Sequence, residues 1–179
     1  VDCMETDAAG YVPKTRKQIG AVPHVVVRDD IAKPLYHFGL PWPSIEARLR
    51  QLEPPDEVWI TSVMTYWWES TKDAIVLLRQ LFPKAEIIVG GIYPTLAPQH
   101  AANHLGADLV FTGEMAAASE LATDLSLYHA NRPNYAILTT SRGCPWDCHY
   151  CAARTLNGGS NKVRGREAQN VLAEIEHIS

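Results

Sequence analysis

The chain has 179 residues, of which 46% are hydrophobic and 20% charged, with 11 glycines and 12 prolines. This composition indicates a globular chain with a packed core, and it excludes collagen, low-complexity repeats and wholesale disorder. Sixteen basic against 20 acidic residues give a formal net charge of -4, which disfavours a protein that binds nucleic-acid backbones.

No stretch of sequence approaches the roughly 18 apolar residues of a membrane span, and no signal-peptide pattern is present. We therefore predict no membrane partner, no nucleic-acid partner and a cytoplasmic location. The sequence begins at Val1 rather than at a methionine, and Ser179 falls within a predicted helix. For this reason we also expect a piece of a longer protein.

In the N-terminal third, the predicted elements are short and are separated by prolines. Val1–Met4 has the composition of a strand end, and Val25–Val27 is a short β-branched run that favours a strand. A helix is predicted from Ser44 to Leu52.

From about residue 57 onward, short apolar strands alternate with helices. The predicted strands are Val58–Met64, Ala85–Val89, Ala107–Phe111 and Tyr135–Thr140. The predicted helices are Ala74–Phe82, which follows a weak capping box at Ser70–Asp73, then Pro98–Leu105 and Met115–His129. This alternation predicts βαβ units, a parallel sheet and the α/β fold class.

The turn-forming residues Asn131–Asn134 separate two blocks of this pattern. We therefore predict one domain over residues 1–130 and a second from residue 131 to residue 179. In the second, a helix is predicted from an apolar stripe with helical spacing, at Ala168, Val171, Leu172, Ile175 and Ile178.

Three of the four cysteines, Cys144, Cys148 and Cys151, lie close together in a C-x3-C-x2-C pattern after a predicted strand. Three thiols cannot all pair with one another, so disulfides explain the cluster poorly. Thiolates at this spacing repel one another unless a cation holds them, which favours a metal centre. Zinc takes four protein ligands, and His149 would strain the loop as the fourth. A [4Fe-4S] cluster on three thiolates leaves one iron without a protein ligand.

This motif resembles the C-x3-C-x-aromatic-C signature of the radical S-adenosylmethionine (radical SAM) superfamily, with Tyr150 as the aromatic residue. The resemblance implies a [4Fe-4S] cluster on Cys144, Cys148 and Cys151 and S-adenosyl-L-methionine on the open iron, with Tyr150 beside the cofactors. It also implies an external electron donor and a 5'-deoxyadenosyl radical that abstracts hydrogen from an unidentified substrate. The helix after the motif would then complete the first βα unit of a partial barrel.

The ends of the upstream strands carry glycines and hydroxyl groups, which permit close approach of a large ligand. Together, Ser62-Val63-Met64, Gly90-Gly91 and Gly113-Glu114 resemble the Rossmann-like cobalamin-binding domain that precedes many radical SAM barrels. The contacts with cobalamin that this resemblance implies are Ser62, Met64, Thr65, Gly90, Gly91, Tyr93, Thr95, Gly113 and Glu114. The first strand of that domain would lie before Val1. The D-x-H-x-x-G element of many cobalamin proteins has no full match, since Asp147-Cys148-His149 is followed by Ala152 in place of glycine.

The leading hypothesis is a radical SAM enzyme that transfers a methyl group through cobalamin or catalyses a rearrangement, with this piece inactive alone. The alternatives are a non-catalytic cobalamin- or nucleotide-binding module with a structural metal, and an electron-transfer protein. His100 and His104 have i, i+4 spacing on a predicted helix, and we interpret them as part of a solvated helix face.

Overall fold

A computed structural model describes residues 20–28, 31–37, 40–115, 121, 122, 124 and 135–178. The chain divides into two compact units, Val1–Pro54 and Pro55–Ser179. The linker predicted at Asn131–Asn134 and most of the helix predicted at Met115–His129 lie outside the described residues. The predicted division at residue 130 therefore stays a prediction.

The first unit contains an antiparallel strand pair and one helix. Strand β1 (Gly20–Arg28) pairs with β2 (Ile31–His37), and the ladder is irregular between Ala21 and Val25. The strand predicted at Val25–Val27 is thus confirmed within a longer one, and Val1–Met4 lies outside the described residues. Strand β2 was not predicted, because it contains Pro34, a residue that removes a ladder hydrogen bond.

Helix α1 runs from Trp42 to Leu49, two residues earlier at its start and three at its end than predicted. Pro43 is accepted in its first turn, where no intrahelical N–H bond is required. Ile45 and Leu49, one turn apart on the same face, are its buried residues.

The second unit is built on a three-stranded parallel sheet of order β3-β4-β5, consistent with a Rossmann-like arrangement. The strands are β3 (Glu57–Thr61), β4 (Glu86–Gly90) and β5 (Leu109–Val110). In the central strand, Ile87, Ile88 and Val89 are all buried, as expected where both faces of a parallel strand are covered. The α/β class and the parallel sheet are therefore confirmed.

Helices connect the parallel strands. A 3-10 turn (Thr65–Trp67) leads into α2 (Trp68–Leu81) between β3 and β4. Two short helices, α3 (Ile92–Leu96) and α4 (Pro98–His104), connect β4 to β5. The core side chains that these connections bury include Ile75, Leu78, Phe82, Tyr93, Ala101 and Leu105. The helix predicted at Pro98–Leu105 is confirmed to within one residue.

Two predicted boundaries are wrong at the end of β3. The strand stops at Thr61 rather than Met64, because the Ser62 side chain turns inward to bond Thr71 and Met64 accepts a turn hydrogen bond from the Trp67 N–H. Helix α2 then begins at Trp68 rather than Ala74. The predicted capping box at Ser70–Asp73 therefore lies inside the helix and caps nothing. Helix α3 was not predicted, because its segment was interpreted as a strand-end turn.

The strand predicted at Tyr135–Thr140 is also wrong, since these residues form no strand. Tyr135 and Ile137 are 67% and 78% exposed, and no strand among the described residues covers their apolar side chains. The next strand is β6 (Ser141–Arg142), which pairs antiparallel with β7 (Arg164–Gly165). The parallel pattern expected from the sequence is thus not continued into this region of the described chain.

Helix α5 (Ala153–Leu156) and helix α6 (Ala168–Ile178) follow β6 and β7 respectively. The predicted C-terminal helix is confirmed, and part of its apolar stripe is exposed: Leu172 by 60% and Ile175 by 41%. The buried residue of α6 is Glu174, whose Oε2 lies 2.6 Å from the Arg166 guanidinium. None of the helices in the described ranges is long and apolar enough to span a bilayer.

Gly91 is expected to be intolerant of substitution. Its φ of +105° is in the glycine region, and a Cβ there would lie 2.6 Å from the Ser62 carbonyl oxygen. We expect Gly91→Ala to lower the free energy of unfolding by about 3 kcal/mol or more. The matched control Gly106→Ala also has positive φ but open space around it, and should cost about 1–2 kcal/mol. Urea denaturation of both variants measures this, and equal costs would contradict the close approach.

Asp108 gives the second unit a dependence on acid pH. Its Oδ2 accepts hydrogen bonds from the Ile87 N–H (2.7 Å) and the Arg79 Nη2 (2.6 Å), and these bonds hold the pKa of the carboxyl below its ordinary value of 3.8. A depressed pKa means that the stabilisation is present above the unfolded-state pKa and is lost as the pH falls through the folded-state pKa.

We therefore expect the stability of the wild type to fall more steeply than that of Asp108→Asn as the pH is lowered from about pH 5 to values below 3.8. Urea denaturation across this range measures the difference. Asp73→Asn, at an exposed position of α2, is the matched control. A wild type and Asp108→Asn with parallel pH profiles would show that this carboxylate is not the responsible group.

Candidate functional site

The predicted residues at the ends of β3 and β4 are held together by backbone hydrogen bonds. The Ser62 N–H donates to the Gly90 carbonyl (2.9 Å), and the Tyr93 N–H donates to the Ser62 carbonyl (3.1 Å). Gly91 lies between these bonds at the close approach already described. The chain leaving β3 and the chain leaving β4 are therefore joined directly at the carboxyl edge of the sheet.

Thr95 connects this edge to the end of β5. Its Oγ1 donates to the Gly91 carbonyl at 2.7 Å and accepts the Gly113 N–H at 2.9 Å. The structure thus brings together six of the nine residues predicted to contact cobalamin: Ser62, Gly90, Gly91, Tyr93, Thr95 and Gly113. They come from three different strand ends, as expected for a parallel sheet.

The hydroxyl groups of this cluster are bonded within the protein. The Ser62 Oγ lies 2.8 Å from the Thr71 Oγ1, and the Tyr93 OH lies 2.7 Å from the His100 Nδ1. Burial also raises the pKa of the Tyr93 phenol above its ordinary value of 10.0. Met64 and Thr65 differ, because both are exposed beside the cluster. The hydroxyls of Ser62, Tyr93 and Thr95 are therefore already hydrogen-bonded within the protein, whereas the side chains of Met64 and Thr65 are exposed at this edge.

The ninth predicted residue, Glu114, links the strand ends to the cysteine segment. Its Oε2 lies 2.6 Å from the Arg164 Nη2, and its Oε1 lies 3.7 Å from the Arg142 Nη1. Arg142 and Arg164 are opposite each other in the β6–β7 pair. Helix α3, which follows Gly91, also lies against α5, which follows Cys151. The two sites predicted from sequence are therefore neighbours in the second unit.

The three cysteines lie on a loop that Gly143 introduces. Cys144 is half-buried, Cys148 and Cys151 are exposed, and all three thiols are free. A turn joins the last two, since the Cys151 N–H donates to the Cys148 carbonyl at 3.0 Å. The Cys151 Sγ accepts the Ala153 N–H at 3.5 Å. Tyr150, the aromatic residue of the motif, is 92% exposed.

Asn157 holds this loop and was missed by the sequence analysis. Its buried side chain donates to the Ser160 carbonyl (2.9 Å) and the Lys162 carbonyl (3.0 Å), and its Oδ1 accepts from Arg164 at 2.7 Å. It also packs at Gly143, where a Cβ would lie 2.9 Å from its Nδ2. The signal available in the sequence was the Asn157-Gly158-Gly159 run, which is typical of turns.

Thiolates are the donors that iron–sulfur clusters and zinc take, so the donor type of the loop fits the metal centre expected from the sequence. The described residues contain no group of three or more His, Cys, Asp or Glu side chains placed to share one metal ion. In the described conformation, the three thiols therefore follow one another along the loop but are not arranged around a single metal position. Cys3 lies outside the described residues.

The comparisons with known proteins identify no family. No family model matches the chain, and no curated protein and no solved structure matches it.

We expect Asn157→Ala to lower the free energy of unfolding by about 2–4 kcal/mol, because it removes the donor to the Ser160 and Lys162 carbonyls and one of the two acceptors of the Arg164 guanidinium. Asn161→Ala, at an exposed position of the same loop, should change it by less than about 0.5 kcal/mol. Chemical denaturation compares the two variants. An equal, small effect of both would show that Asn157 does not hold the loop.

Proposed function

We propose that the chain is part of a radical SAM enzyme, in which Cys144, Cys148 and Cys151 hold a [4Fe-4S] cluster. The observation that carries the proposal is the presence of three free thiols in the C-x3-C-x-aromatic-C order on one loop. With three protein ligands, such a cluster retains one iron for the amino and carboxylate groups of S-adenosyl-L-methionine. Reductive cleavage of that cofactor, with an electron from an external donor, supplies the radical chemistry.

The loop's own residues support cluster binding in two ways. Gly143 has a φ of +97°, and a side chain there would clash with the Lys162 carbonyl oxygen, so the chain entering Cys144 is constrained. Asp147 lies between the first two thiols and pairs with Arg154 at 2.6 Å. This pair joins the middle of the loop to helix α5 and occupies the Oδ2 atom of the exposed Asp147 carboxylate. The thiolates would then be the principal anionic donors of the loop.

The proposed role of the sheet edge is to present a second cofactor, cobalamin, to the same region. Support comes from the contacts between α3 and α5 and from the Glu114 ion pairs with Arg142 and Arg164. Because Ser62, Tyr93 and Thr95 are bonded internally, the proposed contacts to the cofactor are backbone groups and the exposed side chains of Met64 and Thr65. Transfer of a methyl group or a rearrangement would be the resulting reaction class.

Iron binding tests this proposal directly. After anaerobic reconstitution, we expect about four iron atoms per chain in the wild type and in the matched control Cys3→Ala. Cys144→Ala, Cys148→Ala and Cys151→Ala should each lose most of the bound iron and the visible charge-transfer absorption, because no fourth thiol of the loop can substitute. Undiminished iron in these three variants would refute the proposal.

The same preparation distinguishes the alternatives. A radical SAM enzyme, as the full-length protein, cleaves S-adenosyl-L-methionine when reduced. A module with a structural metal retains zinc and does not take up iron, and an electron-transfer protein has a reducible cluster that leaves S-adenosyl-L-methionine intact. A visible spectrum of the anaerobically purified full-length protein also reports cobalamin through its own absorption bands.

A further inference from the structure

Two histidines on helix α4 form a stacked pair away from the cysteine loop. His100 and His104 are one turn apart, and their rings are 4.1 Å apart with an angle of 13° between their planes. Side chains at i and i+4 on a helix lie on the same face. The two imidazoles are therefore parallel and lie side by side; His104 is exposed, in agreement with the predicted solvated helix face, while His100 is half-buried.

The Nδ1 atom of each ring already has a partner. The His104 Nδ1 lies 2.9 Å from the His100 carbonyl oxygen. Because a carbonyl only accepts, this nitrogen carries the hydrogen, and the Nε2 of neutral His104 has a free lone pair. The His100 Nδ1 lies 2.7 Å from the Tyr93 OH, a group that can accept its hydrogen. Among the described residues, neither Nε2 atom has a hydrogen-bond partner.

Neighbouring side chains restrain both rings. Trp68 contacts them edge-on, with ring centroids 5.2 Å from His100 and 5.7 Å from His104. The ring of Tyr93, whose OH bonds His100, is 1% exposed and cannot move without disturbing the core. His100, bonded to the buried Tyr93, is the more firmly held of the two ligands and loses less conformational entropy when it binds an ion, whereas His104 is exposed.

We propose that His100 and His104 bind one divalent transition-metal ion through their Nε2 atoms. Metal-ligating histidines typically donate the other ring nitrogen to a carbonyl or a similar acceptor. His104 has this arrangement with the His100 carbonyl, and the Tyr93 OH can serve as the acceptor for His100. At a metal–nitrogen distance of about 2.0–2.1 Å the two donor atoms lie about 3.3 Å apart in tetrahedral geometry. The in-plane lone pairs of rings parallel to within 13° do not converge on one point, so binding requires the exposed His104 ring to rotate out of the stack towards the ion.

The chemical class of the ion follows from the donors. Two imidazoles favour Cu²⁺, Ni²⁺ and Zn²⁺ over Mg²⁺ or Ca²⁺, and affinity should rise from Ni²⁺ to Cu²⁺. No third His, Cys, Asp or Glu joins the pair within the described residues, so the remaining coordination positions are open to water or to an external ligand. The site shares no ligand with the cysteine loop and does not depend on the proposed function.

The test uses the full chain with Cys144, Cys148 and Cys151 all replaced by alanine, which removes the competing thiols. We expect calorimetric titration with Cu²⁺ and with Zn²⁺ to give one site per chain. His100→Ala and His104→Ala should each weaken it at least as much as the roughly 10- to 100-fold loss caused by removing an outer-shell partner. Tyr93→Phe, which removes such a partner from His100, should weaken it about tenfold. His177→Ala, a single histidine on α6, is the matched control and should change nothing.

A second variant tests whether binding requires the i, i+4 spacing of the two histidines or only their number. Ala102→His combined with His104→Ala keeps the number of histidines but places two of them at i, i+2, where they face apart. We expect this variant to bind as weakly as His104→Ala, and nitrogen-15 NMR of the imidazoles to show Zn²⁺-dependent shifts confined to the His100 and His104 Nε2 atoms. The proposal is overturned if the relocated variant or His104→Ala, each folded by circular dichroism, binds with wild-type affinity.

Discussion

The second unit depends on the close approach of two chains at the carboxyl edge of its sheet. Gly91 can adopt a φ of +105° and has no Cβ, so the chain leaving β4 passes against Ser62 as it leaves β3. This contact allows the backbone bonds between Ser62, Gly90 and Tyr93. It also positions the start of α3 at the sheet edge. Thr95 then connects the end of β5 to the same edge, because its Oγ1 bonds both the Gly91 carbonyl and the Gly113 N–H. Without it, the strand ends would not form one cluster.

That cluster and the cysteine loop are neighbours because charged and packed groups connect them. Glu114 follows the end of β5 and pairs with Arg164 and Arg142, which lie on the two strands that enclose the loop. Asn157 then accepts a hydrogen bond from Arg164 and donates one to the Lys162 carbonyl, so it connects Arg164 to the loop. Partly exposed ion pairs contribute little stability individually, so their effect here is mainly on position. The proximity of the two predicted cofactor regions therefore rests on one predicted residue, Glu114, and on Arg142, Arg164 and Asn157, which were not among the predicted contacts.

The sequence-based expectations failed where local pattern and tertiary environment disagree. The apolar stripe of α6 predicts a buried face, yet Leu172 and Ile175 are exposed, while Glu174 is buried against Arg166. A buried carboxylate is tolerated only with a charged or hydrogen-bonding partner. Here the partner is Arg166, which precedes the first residue of the helix, so the helical periodicity of the sequence does not reveal it. Likewise, Tyr135–Thr140 has the composition of a strand, but a strand requires a neighbour with free backbone groups, and sequence composition does not report one.

The sequence by itself determined the parallel α/β core, because short β-branched runs alternate with helical periods and because central strands must be apolar on both faces. It also determined that three thiols, those of Cys144, Cys148 and Cys151, lie close together along one segment of the chain. Only the tertiary structure decided which polar groups are free. Ser62, Tyr93 and Thr95 are used by internal hydrogen bonds, whereas the Nε2 atoms of His100 and His104 are left open within the described residues. Hydrogen-bond partners are set by distances between elements remote in sequence, and these distances exist only in the folded chain.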